Sequence, residues 1–210
     1  MAATRGNTLL LLLILLSAST LLQSHTAWAT IPLMMACAKT PHPEVCITVL
    51  SAIPEIRNGG ASVATPRSLA EHAVRAAASI GGAAGTYARA ELDIVKDTDL
   101  WQCLDECAQD IEEAVSHLDD TEGDVDVDAK FRDVRLFMDV AERDTWSCDE
   151  SCRDAPESPV KAAMLDKNEA FERFLRVTGA LIEQAIGSSA GGAGDAPAAS
   201  APEPYESASP

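Results

Sequence analysis

Two cysteine pairs with the same internal step, Cys103/Cys107 and Cys148/Cys152, constrain this 210-residue chain more than any other feature. On an α-helix a step of four keeps both sulfurs on one face, about 6 Å apart along the axis. Residues facing each other across antiparallel helices have a constant index sum, and positions 103 and 152 share theirs with 107 and 148. Cys103–Cys152 and Cys107–Cys148 can therefore both close without sliding either helix. The crossed pairing, 103 with 148 and 107 with 152, demands parallel helices, which the short link between them does not allow. Bridges within a pair are possible but strained. The same four residues also have zinc-ligand spacing, so the compartment decides between metal and disulfide.

The N-terminus speaks for an oxidising compartment. Arg5 precedes an unbroken apolar run, Leu9 to Leu16, and Ala27-Trp28-Ala29 has the form of a signal-peptidase site. Residues 1–29 read as a signal peptide cleaved after Ala29. The run is short for a membrane span and is broken by Ser17, Ser19, Thr20 and Gln23. Secretion favours disulfides over metal. A net charge of −17, with 33 acids against 16 bases, excludes a phosphate-neutralising face and an anchor on anionic lipid. The expected mature protein thus has neither nucleic acid nor membrane as partner. At the other end, 20 of the 24 residues from Gly187 to Pro210 are Gly, Ala, Ser or Pro. Such a segment buries too little to offset its chain entropy, and 187–210 reads as a disordered tail.

Between these ends the apolar period is helical. Thr65-Pro66 offers a cap with Pro at the first helical position, followed by Leu69, Ala73, Ala76, Ala77 and Ile80, then Tyr87, Ala88 and Leu92. A second helix begins near Thr98 and carries Leu100, Leu104, Cys107, Ile111, Ala114, Val115 and Leu118 on one stripe. The acidic stretch Asp119–Asp128 ends it. A third is expected from about Ala129 to Cys152, with Val134, Phe137, Met138 and Ala141 inward. A fourth starts at Ser158-Pro159, with Ala163, Leu165, Ala170, Phe171, Phe174, Val177, Leu181 and Ile182 inward and Gly187 as its C-terminal glycine. Lys161 to Arg176 mixes charges and reads as a solvated face. The fold class is all-α: an up-down-up-down four-helix bundle over 63–186, stapled by disulfides. Residues 30–62, broken at Pro32, Pro41, Pro43 and Pro54, form an N-terminal helical hairpin extension. A bend around Thr40-Pro41-His42-Pro43 can bring Cys37 to Cys46, a short loop whose closure contributes roughly 2–3 kcal/mol.

The segment Cys37-Ala-Lys-Thr40-Pro-His-Pro43-Glu-Val-Cys46 reads C-x2-T-x2-P-x2-C. It closely resembles the N-terminal hairpin of the plant invertase and pectin methylesterase inhibitor family. Leu104-Asp-Glu-Cys107 with Ile111 and Ala114-Val115 resembles that family's helix motif at its third cysteine, and Cys148-Asp-Glu-Ser151 the segment at its fourth. The resemblance covers roughly 31–186. It implies a four-helix bundle with an N-terminal α-hairpin, and disulfides Cys37–Cys46 and Cys107–Cys148. The chain departs from the family at Cys103, usually a small residue, and at Cys152, usually an aromatic one. These two face each other under the index rule, so they read as one added disulfide closing a loop of about 50 residues, worth roughly 4 kcal/mol.

The resemblance implies a secreted protein of the cell wall that inhibits a carbohydrate-active enzyme by docking over its active-site cleft. Invertase inhibitors of the family insert a Pro-Lys-Phe tripeptide. This chain has Ala129-Lys130-Phe131 at about that place, Lys and Phe kept and Pro lost. A lysine at a helix start can reach glycosidase carboxylates, and a phenylalanine can cover the sugar platform. Ala129, Lys130 and Phe131 are thus the expected partner-binding residues, with acid invertase (β-fructofuranosidase) the expected partner. Helical period offers another reading, with Phe131 an ordinary inward residue and Lys130 a solvated neighbour of Asp128. The alternative partner is a pectin methylesterase, met through the polar and acidic bundle face; the acidic charge suits a basic esterase. A further alternative is a binder of apolar ligands, with a cavity lined by Ile111, Phe137 and Phe171.

An enzyme is not expected. The sequence holds no HExxH, Gly-x-Ser-x-Gly or P-loop motif. His42, His72 and His117 read as structural or solvated. Asp124, Asp126 and Asp128 alternate, but lack the glycine and terminal glutamate of a calcium loop. No cofactor or metal is expected. Trp101 and Trp146 flank the cysteine pairs and are expected to cover them.

Overall fold

A computed structural model describes residues 31–59, 63–119, 127–143 and 148–191, all in helices, turns and short links. The hairpin consists of α1 (31–37), α2 (Pro43–Ala52) and α3 (Pro54–Asn58). Pro43 and Pro54 each sit at a helix start, where the missing N–H costs nothing. Buried Thr40 donates its hydroxyl to the Cys37 carbonyl at 2.8 Å, which closes the turn between α1 and α2.

Helix α4 (Pro66–Leu92) begins where the sequence indicates. The Thr65 hydroxyl oxygen accepts from the Ser68 N–H at 3.2 Å, satisfying one orphan donor. Helix α5 (Thr98–Asp119) starts where expected, behind Asp97, whose carboxylate accepts from the Leu100 N–H at 2.9 Å. Of the long helix expected from about 129 to 152, the described residues show α6 (Val127–Arg143) and a single turn α7 (Cys148–Ser151), with 144–147 outside them. Helix α8 (Pro159–Gly191) runs past Gly187, where an added Cβ would meet nothing within 4 Å. The helix therefore takes in the first five residues of the segment expected to be tail. The signal segment, Asp124, Asp126, Trp146 and 192–210 lie outside the described residues.

The long helices run alternately up and down. Arg89 of α4 meets Asp105 and Glu112 of α5. His117 near the end of α5 stacks on Phe137 of α6 at 4.5 Å between ring centres. Arg135 of α6 meets Glu183 of α8; Tyr87 late in α4 reaches the Val160 carbonyl at the start of α8, and Thr178 in the second half of α8 lies against the Ala73 carbonyl early in α4. Each pair is antiparallel, as short links require. The core between them is filled by Leu69, Leu104, Ile111, Leu118, Phe131, Phe171, Phe174, Leu181 and Ile182.

Two adjacent glycines on α4 play opposite parts. A Cβ at Gly81 would stand 2.7 Å from the Phe171 ring and 2.6 Å from a Val115 methyl, so α4 approaches α8 and α5 through a gap only glycine leaves. At Gly82 nothing lies within 4 Å. Gly81→Ala is expected to lose about 1 kcal/mol, overpacking outweighing helix propensity. Gly82→Ala is expected to gain up to about 1 kcal/mol. Urea midpoints of the two variants, moving in opposite directions, check both.

The inward stripe of α8 differs from expectation over its first turns. Lys161, Met164 and Asn168 are buried there, whereas Ala170 is exposed and Ala163 and Leu165 only half-buried. The reason is hydrogen bonding rather than hydrophobicity. Lys161 donates its ammonium to the Ala155 carbonyl at 2.8 Å and to Glu157 at 2.9 Å. Asn168 donates to Glu172 at 2.7 Å. A buried polar group so satisfied can hold a core position. Lys161 thereby ties the link after α7 to the start of α8, and is not part of a solvated face.

Candidate functional site

The structure joins Cys37 to Cys46, Cys103 to Cys152 and Cys107 to Cys148, with Cα–Cα distances of 5.5, 4.5 and 5.0 Å. All six cysteines are buried. The last two bridges lie side by side and pin the α7 turn to the first half of α5. Trp101, expected to cover them, is 44% exposed.

The segment 129–131 opens α6, and the structure treats its members differently. Ala129 is half-buried. Lys130 belongs to the helix, and its side chain lies outside the described residues. Phe131 is 2% exposed and shares the core with Val134 and Met138. This is the ordinary inward position that the helical period also offers. The ring is held in the chain's own core because α6 places positions 131, 134 and 138 on one inward stripe. Ile111 and Phe171, expected to line a ligand cavity, are fully buried within the same packed core. An open groove of about 540 Å3 lies elsewhere, among α2, α3 and α4, lined by Val49, Ile53, Glu55, His72, Arg75 and Ile80. His72 is half-buried, not on the solvated side as expected, and its Nδ1 accepts from the Arg75 guanidinium at 3.0 Å. Burial, then the Arg75 charge, holds its pKa below the usual histidine value.

The outward side of α5 carries two acidic rows with different partners. Asp105 and Glu112 face α4, where Arg89 binds both, Glu112 in a fork at 2.8 and 2.7 Å and Asp105 at 2.7 Å. Glu106, Asp110 and Glu113 follow at steps of four and three, and a further step of four reaches His117. Because His117 stacks on Phe137, this second row runs along the edge of α5 toward α6. Among the described residues none of its three acids has an ion-pair partner. Burial first, then the Glu113 and Glu106 charges, raises the Asp110 carboxyl pKa. The sequence shows these acids, but not which row Arg89 neutralises, since that depends on the α4–α5 register.

Stability should follow these environments. Asp110 and Glu172 both have raised pKa values, chiefly from burial. Folding takes up protons as pH falls from neutral toward their ordinary range, so stability rises on that limb. Glu112 is held low, first by its hydrogen bonds from Arg89. Its contribution is present above the ordinary glutamate value and is lost as pH falls through the folded one. The expected maximum of Tm is near pH 5. Asp110→Asn should flatten the neutral limb, and Glu112→Gln the acid limb, in a calorimetric pH series.

The chain is a helical bundle with a filled core, one buried disulfide in its N-terminal hairpin and two side by side between α5 and α7. The model of the family described as plant invertase/pectin methylesterase inhibitor matches residues 33–181. The chain belongs to this family, whose members are inhibitor proteins. Among solved structures it is similar to a crystal structure of mutant form A of a pectin methylesterase inhibitor from Arabidopsis, at 13% identity and a TM-score of 0.48. That match covers 70% of this chain and 92% of the other. A search of curated proteins returns no match.

Proposed function

We propose that this chain is a secreted inhibitor of a cell-wall pectin methylesterase, docking through the α5 edge that carries Glu106, Asp110 and Glu113. The observation that supports this choice of target is the burial of Phe131, whose ring packs in the chain's own core, beside an acidic row on α5 that has no ion-pair partner among the described residues. A basic esterase would be steered to it by opposite charge, chiefly through the association rate. Secretion rests on the signal at 1–29 and on the disulfides; among the described residues no helix is long and apolar enough to cross a membrane.

Acid invertase stands as the second reading because Lys130 and Phe131, in the first turns of α6, match two of the three residues of the family's invertase-inhibitor tripeptide. One titration separates the two. The oxidised chain is assayed at pH 5 against a pectin methylesterase, a cell-wall invertase and a vacuolar invertase. Esterase inhibition that weakens at least tenfold in the triple variant Glu106→Lys/Asp110→Lys/Glu113→Lys, and is indifferent to Lys130→Ala, supports the proposal. Invertase inhibition abolished by Lys130→Ala would transfer the site to the start of α6.

A further inference from the structure

The sulfur cluster where α5 meets α7 is packed more closely than two independent bridges require. Cys103, Cys107 and Cys152 are 0% exposed and Cys148 2%. The sulfurs of Cys103, Cys107 and Cys152 all lie within 4.8 Å of one another. Cys107 Sγ stands 3.6 Å from Cys152 Sγ, although no bridge joins those two residues. Zinc bound tetrahedrally by four thiolates, with Zn–S bonds of about 2.3 Å, sets its sulfurs about 3.8 Å apart. The non-bonded approach is therefore already close to one edge of such a tetrahedron. Both pairs, two residues one turn apart on α5 and two at the ends of the α7 turn, have the ligand spacing of structural zinc sites.

We propose that the reduced chain binds one zinc ion through Cys103, Cys107, Cys148 and Cys152, so that this junction has two mutually exclusive closures, metal and disulfide. A dithiol reductant delivers two electrons and two protons to each bridge, breaking both S–S bonds and leaving four thiols. Zinc displaces the four thiol protons and forms four Zn–S bonds. Unpaired thiolates could not be buried here; the ion supplies the charge that lets them ionise. In the reverse direction, a disulfide oxidant removes two electrons from each pair, both S–S bonds form again and zinc leaves. The zinc form would hold α7 against α5 before oxidation and keep these four sulfurs away from Cys37 and Cys46.

The test uses the full chain reduced with a water-soluble phosphine, with cobalt(II) and then zinc as probes. The expected result is the visible ligand-field absorption of tetrahedral thiolate-bound cobalt(II), bleached by one equivalent of zinc. Alkylation of the zinc form, read by mass spectrometry, should modify Cys37 and Cys46 and spare the other four. The Cys37→Ala/Cys46→Ala variant should keep the cobalt spectrum. Cys103→Ala/Cys152→Ala should weaken binding by more than roughly 100-fold, beyond what loss of a mere supporting contact costs. Absence of tetrahedral bands overturns the proposal. So does equal alkylation of all six cysteines with and without zinc, which is read on the unmutated chain and does not depend on whether a variant folds.

Discussion

Replacing both α5–α7 staples with alanine pairs should cost about 6–7 kcal/mol, whereas replacing either one alone should cost only about 2–3 kcal/mol. The asymmetry comes from nesting. Cys107–Cys148 spans 41 residues and Cys103–Cys152 spans 49, and in the chain-entropy account either loop closed alone is worth about 4 kcal/mol. Once one is closed, the other adds only a ring of about ten residues, worth about 2–3 kcal/mol. The added bridge therefore does not double the stabilisation of its neighbour; it makes the neighbour partly redundant. Alanine is the better replacement, because serine would bury a hydroxyl. Guanidinium unfolding of the oxidised single-pair and double-pair variants gives the three values. Single-pair losses near 4 kcal/mol each, adding to the double, would contradict the nested account. A loss of the size expected for both is comparable to the whole stability of an ordinary domain, so the double variant should be largely unfolded at 37 °C.

Phe131→Ala should lower stability by about 3–5 kcal/mol, as truncation of a buried phenylalanine does. It should leave inhibition unchanged when assayed at a temperature where the variant is folded. Phe131→Leu should recover most of the loss. The opposite pattern, inhibition lost with stability kept, is what a ring inserted in an enzyme cleft would produce. Lys130→Ala should leave esterase inhibition unchanged, since the proposed site lies on α5. Thermal unfolding combined with inhibition titrations of these variants at pH 5 distinguishes the two outcomes. The experiment bears on the choice between an esterase and an invertase, because the only residue-level argument for invertase runs through Lys130 and Phe131.

Much of the architecture was legible in the residues. The cysteine step of four on both strands of a helical hairpin, the Thr65-Pro66 start and the periodic apolar positions of α4 and α5 report local backbone geometry. Local geometry is what sequence period encodes. The family follows from the hairpin motif and covers 33–181. Three points were decided only by packing. Lys161 and Asn168 take inward positions on α8 because specific carbonyl and carboxylate partners satisfy them, and a hydrophobicity pattern has no record of such partners. Phe131 turns inward because α6 meets the core at that register, so a phenylalanine that matches an inhibitor tripeptide is packed here in the chain's own core. Of the two acidic rows on α5, Arg89 on another helix neutralises one and leaves the other, a distinction set by how α4 lies against α5. Helical period determined which residues share a face; only the tertiary structure decided what each face meets, because partner distances between helices are not written in any one helix.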